Sequence, residues 1–259
     1  MPPLVSVLIP ACRAEATLCA AVDSVLAGGL PADALEILVE SDDGTAYAAA
    51  SALPSVQVQV TGAIRSGVGP ARNRALARAT APFVTYLDAD DQLAPGWLAA
   101  LLPLARAEGA AASALEVREH GVPLLRLWHD HDRLTPAVMA ESGASARGLF
   151  ARDRCPPFAD ALSQDILHML QIMEAQGGSL PLSPAPYLLN LRPESVTAAD
   201  DFSARVHRAY LAHVDALHDA PEAAQVFRAK IALNAAYSAE GQGRSYYRWL
   251  EARLGQNPA

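Results

Sequence analysis

The run Asp88-Ala-Asp-Asp91 places carboxylates at three of four positions, directly after the apolar segment Pro82-Phe-Val-Thr-Tyr-Leu87. Acids this close repel one another and resist burial unless a cation compensates them. Spaced one residue apart on a turn, Asp88 and Asp90 could converge on one ion. Oxygen-only ligands select a hard ion such as Mg²⁺ or Mn²⁺, which usually also binds substrate phosphates. The same acids could instead cap the helix expected after Pro95, and the local string leaves both readings open. A second acidic turn, Ser41-Asp-Asp-Gly44, carries Asp42 and Asp43, although Asp-Gly is also an ordinary turn dipeptide. Arg72 follows Gly67-Val-Gly69 near a helix start, a natural place for a phosphate, while Arg72 and Arg74 could equally be a solvated helix face. Those glycines imitate part of a dinucleotide fingerprint, but Arg72 stands where its third glycine belongs, which argues against a dehydrogenase. The pattern His129-Asp-His-Asp132 puts two histidines on one side of an extended chain. With no supporting cluster it reads as a polar loop rather than a zinc site.

The elements that would carry these residues alternate over the first hundred positions. Leu4–Ile9, Leu35–Val39, Val56–Val60 and Pro82–Leu87 read as strands, with helices at Glu15–Leu26, after Gly44 and at Ala71–Ala79. This order predicts a mostly parallel sheet covered by helices, whose ligands gather at the carboxyl ends of the strands. Both acidic turns fall there. Strict alternation in Val56-Gln-Val-Gln-Val60 suggests a strand near a sheet edge. Beyond Pro95 a helix to about Glu108, a hairpin turning at His120-Gly121 and a helix at Ser163–Gln176 closed by Gly177-Gly178 are expected. From Asp201 the chain reads as two or three helices broken near Pro221 and Gly241. His207, His213 and His218 are expected at the surface, and Arg244–Leu254 as an amphipathic helix docking on its own domain, with a membrane-surface contact the sharper alternative.

The chain has 259 residues, 51% of them hydrophobic, and a net charge of −8 with scattered basic residues. That supports a sizeable core and argues against nucleic acid as a partner. Cys12, Cys19 and Cys155 lack metal-ligand spacing and fit a reducing compartment. No leader pattern is legible at the start and no apolar run reaches the ~18 residues that span a bilayer, so a cytoplasmic protein, at most peripheral at the inner membrane face, is expected.

The sequence resembles the family 2 glycosyltransferases, which have a GT-A type nucleotide-binding fold. The resemblance rests on Val5-Ser-Val-Leu-Ile-Pro10, Val22-Asp-Ser-Val-Leu26, and Glu36-Ile-Leu-Val39 with Asp42-Asp-Gly44. It is strongest from Gly69-Pro-Ala-Arg-Asn-Arg-Ala-Leu76 through Asp88-Ala-Asp-Asp91 to Pro95-Gly-Trp-Leu98. It implies an α/β GT-A domain over 1–195, with a donor half at 1–110 and an acceptor half at 111–195, followed by a helical extension at 196–259. It also implies that Pro10 and Ala11 line the base pocket, that Asp42 or Asp43 contacts base or ribose, and that Arg72, Asp88 and Ala89 adjoin the nucleotide. Asp88 and Asp90 would hold Mn²⁺ or Mg²⁺, with Asp90 the direct ligand; Asp91 and Arg192 are lesser candidates. Sugar transfer needs a base for the acceptor hydroxyl, whereas a metal-neutralised diphosphate leaves without protonation. In the family that base is the aspartate of a Glu-Asp pair opening a helix. Here Ser163-Gln-Asp165 resembles that segment, making Asp165 the candidate base, although Gln164 replaces the glutamate. Favourable charge at a helix start, with Ser163 as cap, is the structural alternative for Asp165. The implied activity is metal-dependent inverting transfer from a nucleoside diphosphate sugar, a UDP-sugar favoured, to a saccharide or lipid-linked saccharide in surface glycan or glycoconjugate synthesis. A non-catalytic nucleotide-sugar binder and a nucleotidyltransferase are the competing readings.

Overall fold

Val5–Ala11 (β1) and Leu35–Ser41 (β2) are apolar runs buried at nearly every position, and they pair in parallel with Val5 opposite Leu35 and Ala11 opposite Ser41. Val56–Val60 (β3) joins β2 and Phe83–Tyr86 (β4) joins β1, again in parallel. The connections run through Leu18–Leu26 (α1), Ala48–Ser51 (α2) and Val68–Arg78 (α3). These features come from a computed structural model that describes residues 2–53, 55–60, 64–192, 201–241 and 243–255. The alanine-rich helix expected after Gly44 is a single turn. Tyr47 opens it in the left-handed region, at φ 45°, with its hydroxyl bonded to Asp43.

The second half adds Gln92–Leu93 (β5), Trp97–Glu108 (α4), Ala110–Glu119 (β6), Val122–Leu127 (β7), Arg133–Leu134 (β8), Pro136–Ala140 (α5), Arg147–Ala151 (β9), Gln164–Ala175 (α6) and Leu180–Leu191 (β10). The strand order is β3-β2-β1-β4-β9-β6-β10-β5, so β3 sits at an edge, as its alternation implies. β9 runs antiparallel between β4 and β6, while β10 lies parallel to β6. The result is the mixed, mostly parallel sheet with flanking helices of a GT-A type fold. β9 and β10 have no clear sequence signal. β9 is short and carries Gly148, whose added side chain would collide with the Ala111 carbonyl of β6. β10 contains Pro181, Pro184 and Pro186, which donate nothing to a ladder, and its register on β6 slips between Ser183 and Tyr187. The hairpin at His120-Gly121 forms as expected, both residues taking positive φ.

Phe202–Ala216 (α7), Pro221–Glu240 (α8) and Tyr246–Gly255 (α9) follow, with Pro221 at a helix start where no N–H is required. Val206, Phe227, Tyr247, Trp249 and Leu250 belong to the same continuous buried cluster as the sheet residues. α9 therefore docks on its own domain, which is the plainer of the two readings of that segment. His213 is not at the surface: it is buried, its ring stacks on Phe227 at 4.7 Å, and Nε2 lies 2.9 Å from the Leu162 carbonyl. The expected division between residues 195 and 196 falls outside the described residues. Among those described, no helix is long and apolar enough to cross a membrane.

Candidate active site

The Asp88–Asp91 turn extends from β4, where the Leu87 amide still donates to Leu8 of β1 at 3.0 Å. β5 then pairs antiparallel with β10, Leu93 opposite Tyr187, which fastens the turn to the second half of the sheet. Tyr187 Oη accepts from the Asp88 amide at 3.1 Å and donates to Asp91 Oδ2 at 2.8 Å. The Asn190 amide donates to Asp91 Oδ1 at 2.8 Å, and its side chain donates to the Asp90 carbonyl at 3.1 Å. Asp91 is thus a buried brace between turn and strand. Burial, followed by the charges of Asp88 and Asp90, holds its carboxyl well above the usual range. Ala89 is buried within the turn.

Two arginines engage the Asp88 carboxylate. Arg72 from α3 ion-pairs with Asp88 Oδ1, and Arg147 at the start of β9 reaches Oδ2 at 2.8 Å. Burial would raise the Asp88 carboxyl, but these two guanidinium groups outweigh it and hold it below the ordinary range. Asp90 differs. Its carboxylate pairs with neither arginine and takes a hydrogen bond from its own backbone amide, and burial followed by the Asp88 charge raises its carboxyl. Arg192 is near enough for its charge to oppose that rise, while the segment after it, residues 193–197, lies outside the described residues. No group of three His, Cys, Asp or Glu side chains able to hold a metal occurs among the described residues.

Arg147 also connects this turn to Asp165, whose Oδ2 is 3.3 Å from Nη1. Asp165 lies in the first turn of α6, with 24% of its side chain exposed. Ser163 makes no capping bond, and instead takes a left-handed conformation that lets the chain enter the helix. Gln164 is buried and accepts from Arg72 Nη1 at 3.3 Å, so it faces the arginine rather than solvent. Arg72 and Arg147, with Asp165, Tyr86, Phe158 and His168 among others, line one small pocket. His168 stacks on Phe158 at 3.9 Å, and burial and then Arg72 depress it to about 3, so the ring is neutral at neutral pH. Arg147 and Tyr187 carry no motif in the sequence. The one trace is a basic residue opening the apolar run Arg147-Gly-Leu-Phe150.

Three consecutive α3 residues fasten different parts of this site. Arg72 holds the β4 turn. The Asn73 side chain pairs with both backbone groups of Phe158, at 2.8 and 2.9 Å. Arg74 donates to Glu40 at 2.7 Å and to Asp42 at 3.1 Å, at the end of β2. Neither arginine is a solvated helix face. Gly69 is required in the first turn of α3, because a Cβ there would come within 2.5 Å of the Ala159 carbonyl. Asp42 is engaged by Ser66, the Gly67 amide at 3.0 Å and Arg74. Asp43 accepts from the Arg13 amide at 2.6 Å, the Thr45 amide at 2.9 Å and the Tyr47 hydroxyl at 2.8 Å. The Ala11 carbonyl accepts from the Asp42 amide at 2.8 Å, and Pro10 lies beside it at the end of β1. These groups order the loops around the expected base pocket.

Burial opposes ionisation of Asp43, yet its amide and hydroxyl donors hold the carboxyl below the ordinary range. Its stabilisation is therefore fully present above the unfolded value, near pH 4, and is lost as pH falls through the lower folded value. Asp43→Asn is expected to reduce stability at pH 7 by about 1–3 kcal/mol and to shrink the gap to wild type as pH falls below about 4. Urea midpoints between pH 7 and pH 3 test this, and a gap that stays constant would refute it.

The profile of Glycosyl transferase family 2 matches residues 6–162, more than half of the chain. The chain belongs to that family and is a glycosyltransferase. Its fold is similar to crystal structures of S. aureus TarS. For TarS residues 1–349 in complex with UDP-GlcNAc the TM-score is 0.65 at 16% identity, covering 93% of this chain and 74% of that one. With UDP the values are 0.62 and 18%, covering 93% and 73%. Against the longer TarS chain the TM-score is 0.61 at 16% identity, covering 93% of this chain and 45% of that one. No curated protein matches the chain significantly in sequence.

Proposed function

We propose that this glycosyltransferase moves a sugar from a nucleoside diphosphate sugar, a UDP-sugar favoured, to a hydroxyl of a saccharide or lipid-linked saccharide, with inversion and with Mn²⁺ or Mg²⁺ held by Asp90. One observation carries the reading: Arg147 joins Asp88 of the acidic turn to the partly exposed carboxylate of Asp165, with the Asp90 carboxylate close enough to feel the charges of Asp88 and Arg147. The UDP-GlcNAc bound to the similarly folded TarS supports the choice of donor. Assembly of a surface glycan at the inner membrane face is the setting that the resemblance favours.

The residues present fit a divalent ion held by one protein carboxylate. Asp90 supplies hard carboxylate oxygens, and such ions commonly take one or two carboxylates plus substrate phosphates. When bound, the ion would neutralise the diphosphate as it departs. Asp88 keeps both arginines aimed at the reacting region. Asp165 accepts the proton of the acceptor hydroxyl as its oxygen bonds to the anomeric carbon. The bond from that carbon to the diphosphate breaks, and its electron pair leaves with the nucleoside diphosphate. Arg147 fixes the orientation of the Asp165 carboxylate.

A thermal-shift screen of UDP and UDP-sugars, with and without Mn²⁺, tests the reading. Ligand at a hundred times its Kd adds about 2.7 kcal/mol, or roughly 5–10 °C for a chain this size. Asp90→Ala is expected to remove only the metal-dependent increment. Absence of any shift with common nucleotides, with or without the ion, would overturn the proposal.

A further inference from the structure

The helical extension grips the two segments that carry Arg147 and Asp165. Lys230, near the middle of α8, is fully buried, and its Nζ donates to the carbonyls of Met139 at 3.0 Å, Ser142 at 2.7 Å and Ala144 at 2.8 Å. These carbonyls belong to the end of α5 and the turn leading into β9, three to eight residues before Arg147. Tyr246 of α9 takes the same turn from another side, its hydroxyl accepting from the Gly143 amide at 2.8 Å. A Cβ at position 143 would lie 2.6 Å from that hydroxyl, so a side chain there would displace the Tyr246 ring. From α7, His213 bonds the Leu162 carbonyl, three residues before Asp165. Arg147 in turn rests Nη1 on the carbonyls of Ser145 and Ala146, both at 3.4 Å, before reaching Asp88 and Asp165.

An ammonium is an unusual choice for a purely structural pin. Burial is costly to the charge and depresses Lys230 to about 7, with Asp165 opposing that shift. An apolar side chain of similar length would fill the space without that cost. What the ammonium supplies is three directed donors that fix three carbonyls of one turn simultaneously. Small displacements of a group that orients a base can cost large factors in rate.

We infer that the extension is part of the catalytic apparatus, with Lys230 and Tyr246 acting as positioning residues that set Arg147 against Asp165. This rests on the function proposed above. The contacts from Lys230, Tyr246 and His213 all fall on the acceptor half, and Arg147 carries them on to Asp88 and Asp165.

The test measures UDP release from the nucleotide sugar giving the largest thermal shift, with Mn²⁺, alongside that shift itself. Lys230→Met is expected to lower kcat by ten- to a hundredfold while keeping the nucleotide shift within about twofold of wild type in affinity. Its melting temperature should fall by several degrees, because three buried carbonyls lose their donor. Tyr246→Phe, which removes one hydrogen bond and no volume, should lower kcat severalfold with the same retained shift, and it decides the matter if Lys230→Met does not fold. Wild-type kcat in the folded variants would overturn the inference, as would parallel loss of donor affinity and kcat. A wild-type protein showing no nucleotide shift would instead refute the donor assignment on which it rests.

Discussion

Asp165→Asn is expected to lower sugar transfer by about 10²–10⁴-fold, the range for removing a positioned general base, while donor affinity stays close to wild type. The amide has the shape of the carboxylate but accepts no proton. Its single oxygen can keep one of the two bonds that the carboxylate accepts on separate oxygens, from Arg147 at 3.3 Å or from the Ile166 amide at 3.0 Å, because the amide nitrogen only donates. The proposed donor contacts lie on β1, β2 and the Asp88–Asp91 turn, none of which carries the substituted residue. The informative comparison is single-turnover transfer against a nucleotide thermal shift in the same preparation. Turnover within a few fold of wild type would remove Asp165 as the base and leave it as a favourable charge at a helix start. A loss of both activities together would point to the Arg147 bridge rather than to proton transfer.

Arg72→Met carries the largest expected effect on stability. Arg72 is 3% exposed, pairs with Asp88, bonds Gln164, and lies over the Phe158 ring at 5.0 Å. Methionine fills much of the volume but abandons Asp88 to Arg147 alone, in a site where burial already opposes its charge. Removing one partner from a buried pair costs about 3–5 kcal/mol, which lowers the melting temperature by roughly 10 °C here. The nucleotide shift should fall as well, since Asp88 would no longer hold its place beside Asp90. Arg72→Lys should fall between wild type and methionine, because an ammonium does not reproduce the fork that reaches Asp88 and Gln164 together. Calorimetry showing a loss below about 1 kcal/mol would mean that Arg147 alone secures the turn.

Several features of this protein were fixed by local sequence. Apolar runs ended by Pro10, Asp42 and Asp88 determined β1, β2 and β4, and with them the parallel half of the sheet and the edge that gathers the acidic turns. Strand and helix periods are properties of a few neighbouring residues, so they survive without knowledge of the rest. The helices after residue 200 were legible for the same reason. β10 was not, because its prolines contradict a strand locally and only pairing with β6 outweighs them.

The sequence also marked Asp42, Asp43, Asp88, Asp90, Asp91 and Asp165 as candidates, and it was the family resemblance that gave them separate roles. A carboxylate's role depends on the donors and cations that surround it, and those come from far along the chain. Arg147 is 59 residues from Asp88, Tyr187 is 96 from Asp91, and Lys230 is 86 from the Ala144 carbonyl it holds. Tertiary structure therefore decided that Asp91 braces a strand and that Asp88, rather than Asp90, answers to two arginines.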